Sequence, residues 1–347
     1  MNLKQTILSL CGLMSVSGNE KVASQELERI IGSVFDEHKV DPMGNHWFVK
    51  KCGRENAPKI LIDTHFDEIG MMVTDIKDGG FITMTSVGGV DTRILQSGEV
   101  VIYGKEPVYG VVSSTAPHFR KPGESDKLST MEELYVDTGY TKETLETLVS
   151  LGDPVGFKPV YGELLNDRIF GKAFDAKSCG ACAVAGLAEI SADELAGDVY
   201  FLFSSEEELG CRGAATAAFG IVPDYALILD VTHAAVPEVK NRNLSPMESG
   251  VVVEIAAPTD RGLTLMIKDL CDAKEIPYTV QACPGSTGTN ANVIGMTADG
   301  IPSALCSLPL KSMHSSAEVI SLKDAEALKE LVKAFATSNE IAEVYAR

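Results

Sequence analysis

The sequence has no long apolar run. Its longest uninterrupted stretch of small or apolar residues, 180–188, is half of the roughly 20 residues that a membrane-spanning helix needs, so a membrane is not expected as a partner. It has no dense basic stretch either. The 30 Lys and Arg are outnumbered by 49 Asp and Glu, and the net charge of −19 would repel phosphate backbones, which argues against nucleic acid. Eight cysteines scattered through 347 residues lack the density of a secreted disulfide framework, and the expected compartment is the reducing cytoplasm. The opening MNLKQTILSLCGLMSVSGNE carries Lys4 and a short apolar stretch, but Ser9, Ser15 and Ser17 interrupt it. No small-x-small cleavage site follows cleanly, so it reads as a first helix, not a signal peptide. There is no internal repeat and no Gly-rich phosphate loop.

What is present is a 45% hydrophobic composition, enough for a large core and about two domains. Residues 20–37 space Val22, Leu27, Ile30, Ile31 and Val34 as one face of an amphipathic helix, with Ser17 or Asn19 as cap. KILID (59–63) then reads as a buried strand running out into Thr64-His65-Phe66-Asp67-Glu68. From about 72 to 163, short runs such as FITMTSV, EVVIYG and PVYGVVSS are separated by Gly, Pro and Asp, the texture of a small β-rich unit. Within it, GESDKLSTMEE (123–133) reads as a mobile loop. After about 165, helical and strand patterns alternate up to a final helix near the C-terminus. The expected fold is α/β: a mixed, mostly parallel sheet sandwiched by helices (1–71 and 164–347), with a β-barrel-like unit inserted at 72–163.

Four apolar strands each end in a metal-capable side chain: KILIDTHFDE in His65 and Asp67, VYFLFSSEEE in Glu206 to Glu208, YALILDVTH in Asp230 and His233, and ALCSLPLKSMH in His314. In open α/β sheets ligands bind beyond the carboxyl ends of the strands, so these groups are expected to converge. Asp175, before a small-residue helix, is a fifth candidate. Carboxylates crowded at one point raise one another's pKa, and divalent cations resolve the conflict. The mixture of imidazole and carboxylate favours zinc, cobalt or manganese over calcium or magnesium. Each element also has a plainer reading: a polar strand end, a helix-start acid, a buried histidine, or, for Ser205-x-x-Glu208, a capping box. Cys179-x-x-Cys182 has no second pair to complete a zinc site, and small flanking residues point to packing.

The motifs SVSGNE (15–20), THFDEIGMMV (64–73), GGV (88–90), GKAFDAK (171–177), EEELGCRGA (206–214), LDVTHA (229–234), GTNA (288–291) and PLKSMHSSAEV (309–319) together resemble the M42 family of dinuclear metallo-aminopeptidases, the glutamyl and leucyl aminopeptidase group that assembles tetrahedral particles. The resemblance covers nearly the whole chain. It implies two divalent metal ions per subunit, His65 and Asp230 holding one, Glu208 and His314 the other, and Asp175 bridging. It further implies Glu207 as general base and Asp67 as the acid orienting His65. The implied activity is metal-dependent hydrolysis of N-terminal residues from short peptides with a free N-terminus. The insertion would serve dimer formation in a homo-oligomer of up to twelve subunits, with His118, Arg120 and Lys121 near a neighbour's entrance. Departures from the family pattern are Asp175-Ala176-Lys177 where Asp-Asp-Arg is common, Glu206 where Gln is usual, and Asn290 where Asp is frequent. Competing readings are an amidohydrolase acting on an N-acyl amino acid, a glycosidase using Glu207 and Glu208, and a peptide-binding scaffold that has lost activity. A glutamyl-type pocket would need a basic group, and Lys311, Arg93 and Arg120 are the candidates.

Overall fold

The computed structural model describes residues 1–120, 127–239 and 244–346. A helix Leu3–Cys11, capped by the Asn2 side chain, opens the chain. Three strands follow: β1 (Glu37–Val40), β2 (His46–Lys50) and β3 (Lys59–His65). The next six are β4 (Gly70–Ile76), β5 (Phe81–Val87), β6 (Glu99–Tyr103), β7 (Pro107–Ser114), β8 (Leu134–Asp137) and β9 (Pro154–Phe157). They close into a barrel in the order β4-β5-β8-β7-β6-β9. Strands β10 (Gly162–Leu164) and β11 (Arg168–Gly171) lead into the helix Phe174–Leu187. Then come β12 (Asp198–Ser204), β13 (Tyr225–His233), β14 (Val251–Ala256), β15 (Tyr278–Cys283), β16 (Ser303–Leu310) and β17 (Glu318–Ser321).

The main sheet has the order β1-β2-β12-β3-β13-β16-β14-β15. Its centre, β12-β3-β13-β16, is parallel, while β2 and β14 pair antiparallel on either flank. Successive side chains of a strand point to opposite faces, and two cores result. Ile60, Ile62, Leu227, Leu229, Cys306 and Leu308 join the core shared with the helices Phe174–Leu187 and Leu322–Ala336. Leu61, Ala226, Ile228 and Leu305 face the other way, against the helix Arg212–Ile221. Burial on both sides explains why β16 is buried at every position. The barrel has its own core, with Met71, Ile82, Val100, Val112 and Val136 pointing inward. On β7 buried and exposed residues alternate over most of the strand.

Two helices differ from the sequence expectation. Residues 20–37 form a 3-10 turn Glu20–Ala23, a short helix Ser24–Ile31 and a second 3-10 turn Gly32–Val34 before the chain enters β1. Asn19 makes no side-chain cap. The Glu20 carboxylate instead accepts from the Gly18 and Glu206 backbone N–H groups at 2.9 and 3.0 Å, tying this turn to a distant loop. The C-terminal helix breaks after Ala336 and restarts as Asn339–Tyr345, with Ser338 as its side-chain cap. The periodicity also left β1, β2, β10, β11, β14 and β17 unassigned.

The helix Phe174–Leu187 is buried along its whole length, which its Gly, Ala, Ser and Cys content allows. A Cβ at Gly180 would lie 2.2 Å from Cε1 and 2.4 Å from Cζ of Phe203 on β12. Cys179 and Cys182 belong to this packing: both are fully buried, and the Cys179 thiol donates to the Asp230 carbonyl at 3.1 Å. Gly180→Ala is therefore expected to lower stability by about 1–3 kcal/mol through overpacking, despite alanine's better helix propensity, read as a lower midpoint in urea unfolding.

Candidate metal centre

Parallel strands run in one direction, so the carboxyl ends of β12, β3, β13 and β16 share one edge of the sheet. His65 is the last residue of β3 and pairs in register with Ser204, the last of β12. Asp63 on β3 lies level with Ile228 on β13, and His65 and Asp230 each stand two residues further along their strands. Glu207 and Glu208 follow β12 in a turn, and the next helix starts only at Arg212, so Ser205-x-x-Glu208 is not a capping box. His314 follows β16. Asp175 enters from the helix after β11, at a position whose backbone (φ −74°, ψ 112°) is not helical.

These groups converge. Asp175 Oδ1 lies 2.9 Å from His65 Nε2 and Asp175 Oδ2 lies 3.3 Å from His314 Nε2. Asp230 Oδ1 is 3.8 Å from His65 Nε2, and Glu208 Oε1 is 3.3 Å from His314 Nε2. The result is three overlapping three-donor sets, His65–Asp175–Asp230, His65–Glu207–Glu208 and Asp175–Glu208–His314, each with its ligand atoms within 4.8 Å of one another. Both imidazoles are oriented from behind. His65 Nδ1 meets the Asp67 carbonyl at 3.0 Å and His314 Nδ1 meets the Gly89 carbonyl at 3.2 Å. A carbonyl only accepts, so each Nδ1 carries the proton and each Nε2 is left for the carboxylates or a cation. Gly89 makes this approach because a Cβ there would sit 2.9 Å from His314 Nδ1.

Buried acids also hold the loops. Asp67, fully buried, accepts from the N–H of Glu207 at 3.0 Å, the N–H of Glu208 at 3.1 Å and the Ser17 hydroxyl at 2.7 Å. Its own Oδ1 stands 3.6 Å from His65 Nδ1. Glu318, which sequence reasoning did not single out, accepts from the N–H of Asp175 at 3.1 Å and of His314 at 2.8 Å. The only signal for it was an acid four residues beyond His314. Burial pushes the Glu318 carboxyl up to about 8.

The electrostatics are those of a site short of positive charge. Burial, with neighbouring acids, pushes Glu207 up to about 7 and moves Asp230 well above the carboxylate range. Burial would also raise Asp175, but hydrogen bonds from His314 and His65 hold it well below the usual range. The same contacts from Asp175 and Glu208 lift His314 to about 11. His65, which burial alone would depress, is held well above its ordinary value by Asp175 and Asp67. In this state the imidazoles keep protons that a cation would displace. Two imidazoles and three acids, with Nε2 atoms and carboxylate oxygens facing one another, fit divalent cations of zinc, cobalt or manganese type.

The departures sit around this cluster. Ala176 is fully buried. The Lys177 ammonium turns away from Asp175 to the Leu13 carbonyl at 2.8 Å and Glu68 at 3.4 Å, and Glu68 is also paired with Lys172 at 2.5 Å. Glu206 pairs with Arg212 at 2.7 Å. Asn290 donates to Asp63 and the Ser204 hydroxyl at 2.9 and 2.8 Å, beside the cluster and not within it. His233 is exposed at the rim of the cavity. The cavity over the cluster measures about 720 Å³, and among the described residues neither Lys311, Arg93 nor Arg120 lines it. Arg93 pairs with Asp91, and Arg120 donates to Ser129 and to backbone carbonyls. Lys121 and the first part of 123–133 lie outside the described residues.

A mixed sheet that gathers imidazoles and acids able to hold a metal beyond its strand ends defines an α/β protein with a candidate metal centre. The chain belongs to the M42 glutamyl aminopeptidase family, whose family model matches residues 44–331. It is 30% identical over 325 residues to a lysyl aminopeptidase of Pyrococcus furiosus, with 92% of each chain covered. Its structure is similar to a TET aminopeptidase from a marine sediment archaeon of the Thaumarchaeota (TM-score 0.91, 28% identity, 99% of this chain and 98% of that one). It is also similar to the Pyrococcus horikoshii TET1 peptidase, described as assembling into a tetrahedron or a large octahedral shell (TM-score 0.84, 27% identity, 96% and 99% covered). Family and relatives support an aminopeptidase, a hydrolase of peptides. Among the described residues no helix is long and apolar enough to cross a membrane.

Metal uptake by the cation-free protein is expected to release at least about one proton per subunit at pH 7, because ligating imidazoles must be neutral. Titrating zinc into weakly buffered protein with a pH indicator measures it, and uptake without proton release would contradict the charge state described here.

Proposed function

We propose that the protein removes N-terminal residues from short peptides by hydrolysis, with two divalent cations held at this site. His65 and Asp230 would hold one cation, Glu208 and His314 the other, and Asp175 both. The observation that carries this reading is the Asp175 carboxylate, whose two oxygens each face a different imidazole, the disposition a bridging ligand requires. When bound, such cations lower the pKa of a water and polarise the carbonyl of the first peptide bond. Zinc and cobalt suit the donors best, and manganese is compatible.

The chain's own residues do the proton work. Glu207 faces the same cavity, takes a proton from the attacking water and delivers it to the leaving amine. Its backbone is fixed by Asp67 Oδ1 at 3.0 Å, and its Oε1 accepts from the Cys211 thiol at 3.3 Å. Asp67 positions both this turn and the His65 ring, so it aligns the base with the ligands. The likeness to a self-assembling peptidase supports a homo-oligomer, with the barrel unit (72–163) making the dimer contact, up to a tetrahedral dodecamer. The eight free cysteines accord with a cytoplasmic site of action.

Glu207→Gln is expected to lower kcat on aminoacyl p-nitroanilides by about 100-fold or more with metal content per subunit unchanged. Loss of less than about tenfold would remove Glu207 from the role of base. Chelation should abolish turnover, and zinc, cobalt or manganese should restore it. A metal-loaded enzyme that prefers N-acetylated substrates would instead be an amidohydrolase of blocked amino acids.

A further inference from the structure

The cavity that holds the candidate ligands contains one more acid. Glu254 on β14 is 5% exposed and lines the same cavity. The Ser307 hydroxyl donates to its Oε1 at 2.5 Å. Among the described residues no charged neighbour acts on its carboxyl, only burial and the Ser307 hydroxyl, and the described lining of the cavity includes no Lys or Arg. Burial raises its carboxyl pKa, opposed only by the Ser307 hydrogen bond. A buried carboxylate without a cation is costly, and here the missing cation has an open route in from the cavity.

We propose that Glu254 reads the side chain of the substrate's N-terminal residue and selects a cationic one, lysine or arginine; this deepens the aminopeptidase reading and rests on it. Ser307 on β16 lies level with Asp230 on β13 and with Val252 on β14, so Glu254 belongs to a strand two spacings, about 10 Å, from that of Asp230. That separation suits a long side chain extending from a peptide whose first carbonyl lies at the ligand cluster. Gln281, level with Glu254 on the neighbouring β15, adds a polar wall, and Val231 and Met313 offer apolar surface to the methylene stem. An acidic N-terminal side chain would find a further carboxylate there and no described Lys or Arg. A leucine would leave the acid buried and unpaired.

The test uses the metal-loaded oligomer and the p-nitroanilides of Lys, Arg, Leu and Glu. Wild type is expected to prefer Lys or Arg over Leu by about tenfold or more in kcat/KM, and Glu254→Gln to lower the Lys-to-Leu ratio by a similar factor. A second measurement needs no variant: free L-lysine should compete with the Leu substrate at about one tenth of the concentration of L-norleucine or less, which has the same chain without the amine. Leu or Glu as the best substrate, equal inhibition by lysine and norleucine, or an equal loss on all four substrates in Glu254→Gln would overturn the proposal. The last result would assign Glu254 to the α-ammonium instead. No turnover on any of the four would overturn the aminopeptidase reading itself, and this inference with it.

Discussion

The structure turns on a concentration of like charge. Asp175, Glu207, Glu208 and Asp230 meet at one edge of the sheet with the imidazoles of His65 and His314 among them. In water such a group would disperse, and inside a protein it stays together only if the backbone is held rigidly and positive charge is supplied. Much of the surrounding hydrogen bonding serves the first need. Asp67 holds the 207–208 turn, Glu318 holds the backbone at Asp175 and His314, and Glu20 holds the backbone of Glu206. Each anchor joins segments far apart in sequence, so the site and the fold stabilise one another.

The barrel takes part in this arrangement. It leaves the sheet just after His65 and Asp67, and its Gly89 carbonyl returns to orient His314. An inserted unit thus contributes to the geometry of a ligand at the far end of the chain. On the opposite side, the small-residue helix can lie close against β3 and β12 because Gly180 leaves room for Phe203. That closeness brings Asp175 between the two histidines. The site's precision therefore depends on packing at positions that carry no reactive group.

Particular residues mark what the sequence made legible. His65, Asp230 and His314 follow or terminate apolar strand runs, and a parallel sheet collects such ends at one edge, so their meeting could be expected before any coordinates. The resemblance supplied the pairing among them and the role of Asp175. Glu318 and Glu254 escaped notice for different reasons. Glu318 acts through backbone N–H groups, which leave no pattern in the side-chain sequence. Glu254 lies in VVVEIA, a short stretch left unassigned, and nothing local in it tells an acid that faces a cavity from one that faces solvent. Lys177 is a third case: its place beside Asp175 in the chain invites a contact, yet its ammonium points to Glu68 and the Leu13 carbonyl.

By itself the sequence determined the alternation of strands and helices, the β-rich insertion and the set of side chains able to bind metal, because these follow from hydrophobic periodicity and residue chemistry. Only the tertiary structure decided which acid faces which imidazole, which way each ring is turned, and that a lone buried glutamate lines the same cavity. Those facts depend on register across strands and on backbone groups brought together over long separations, and no local pattern encodes them.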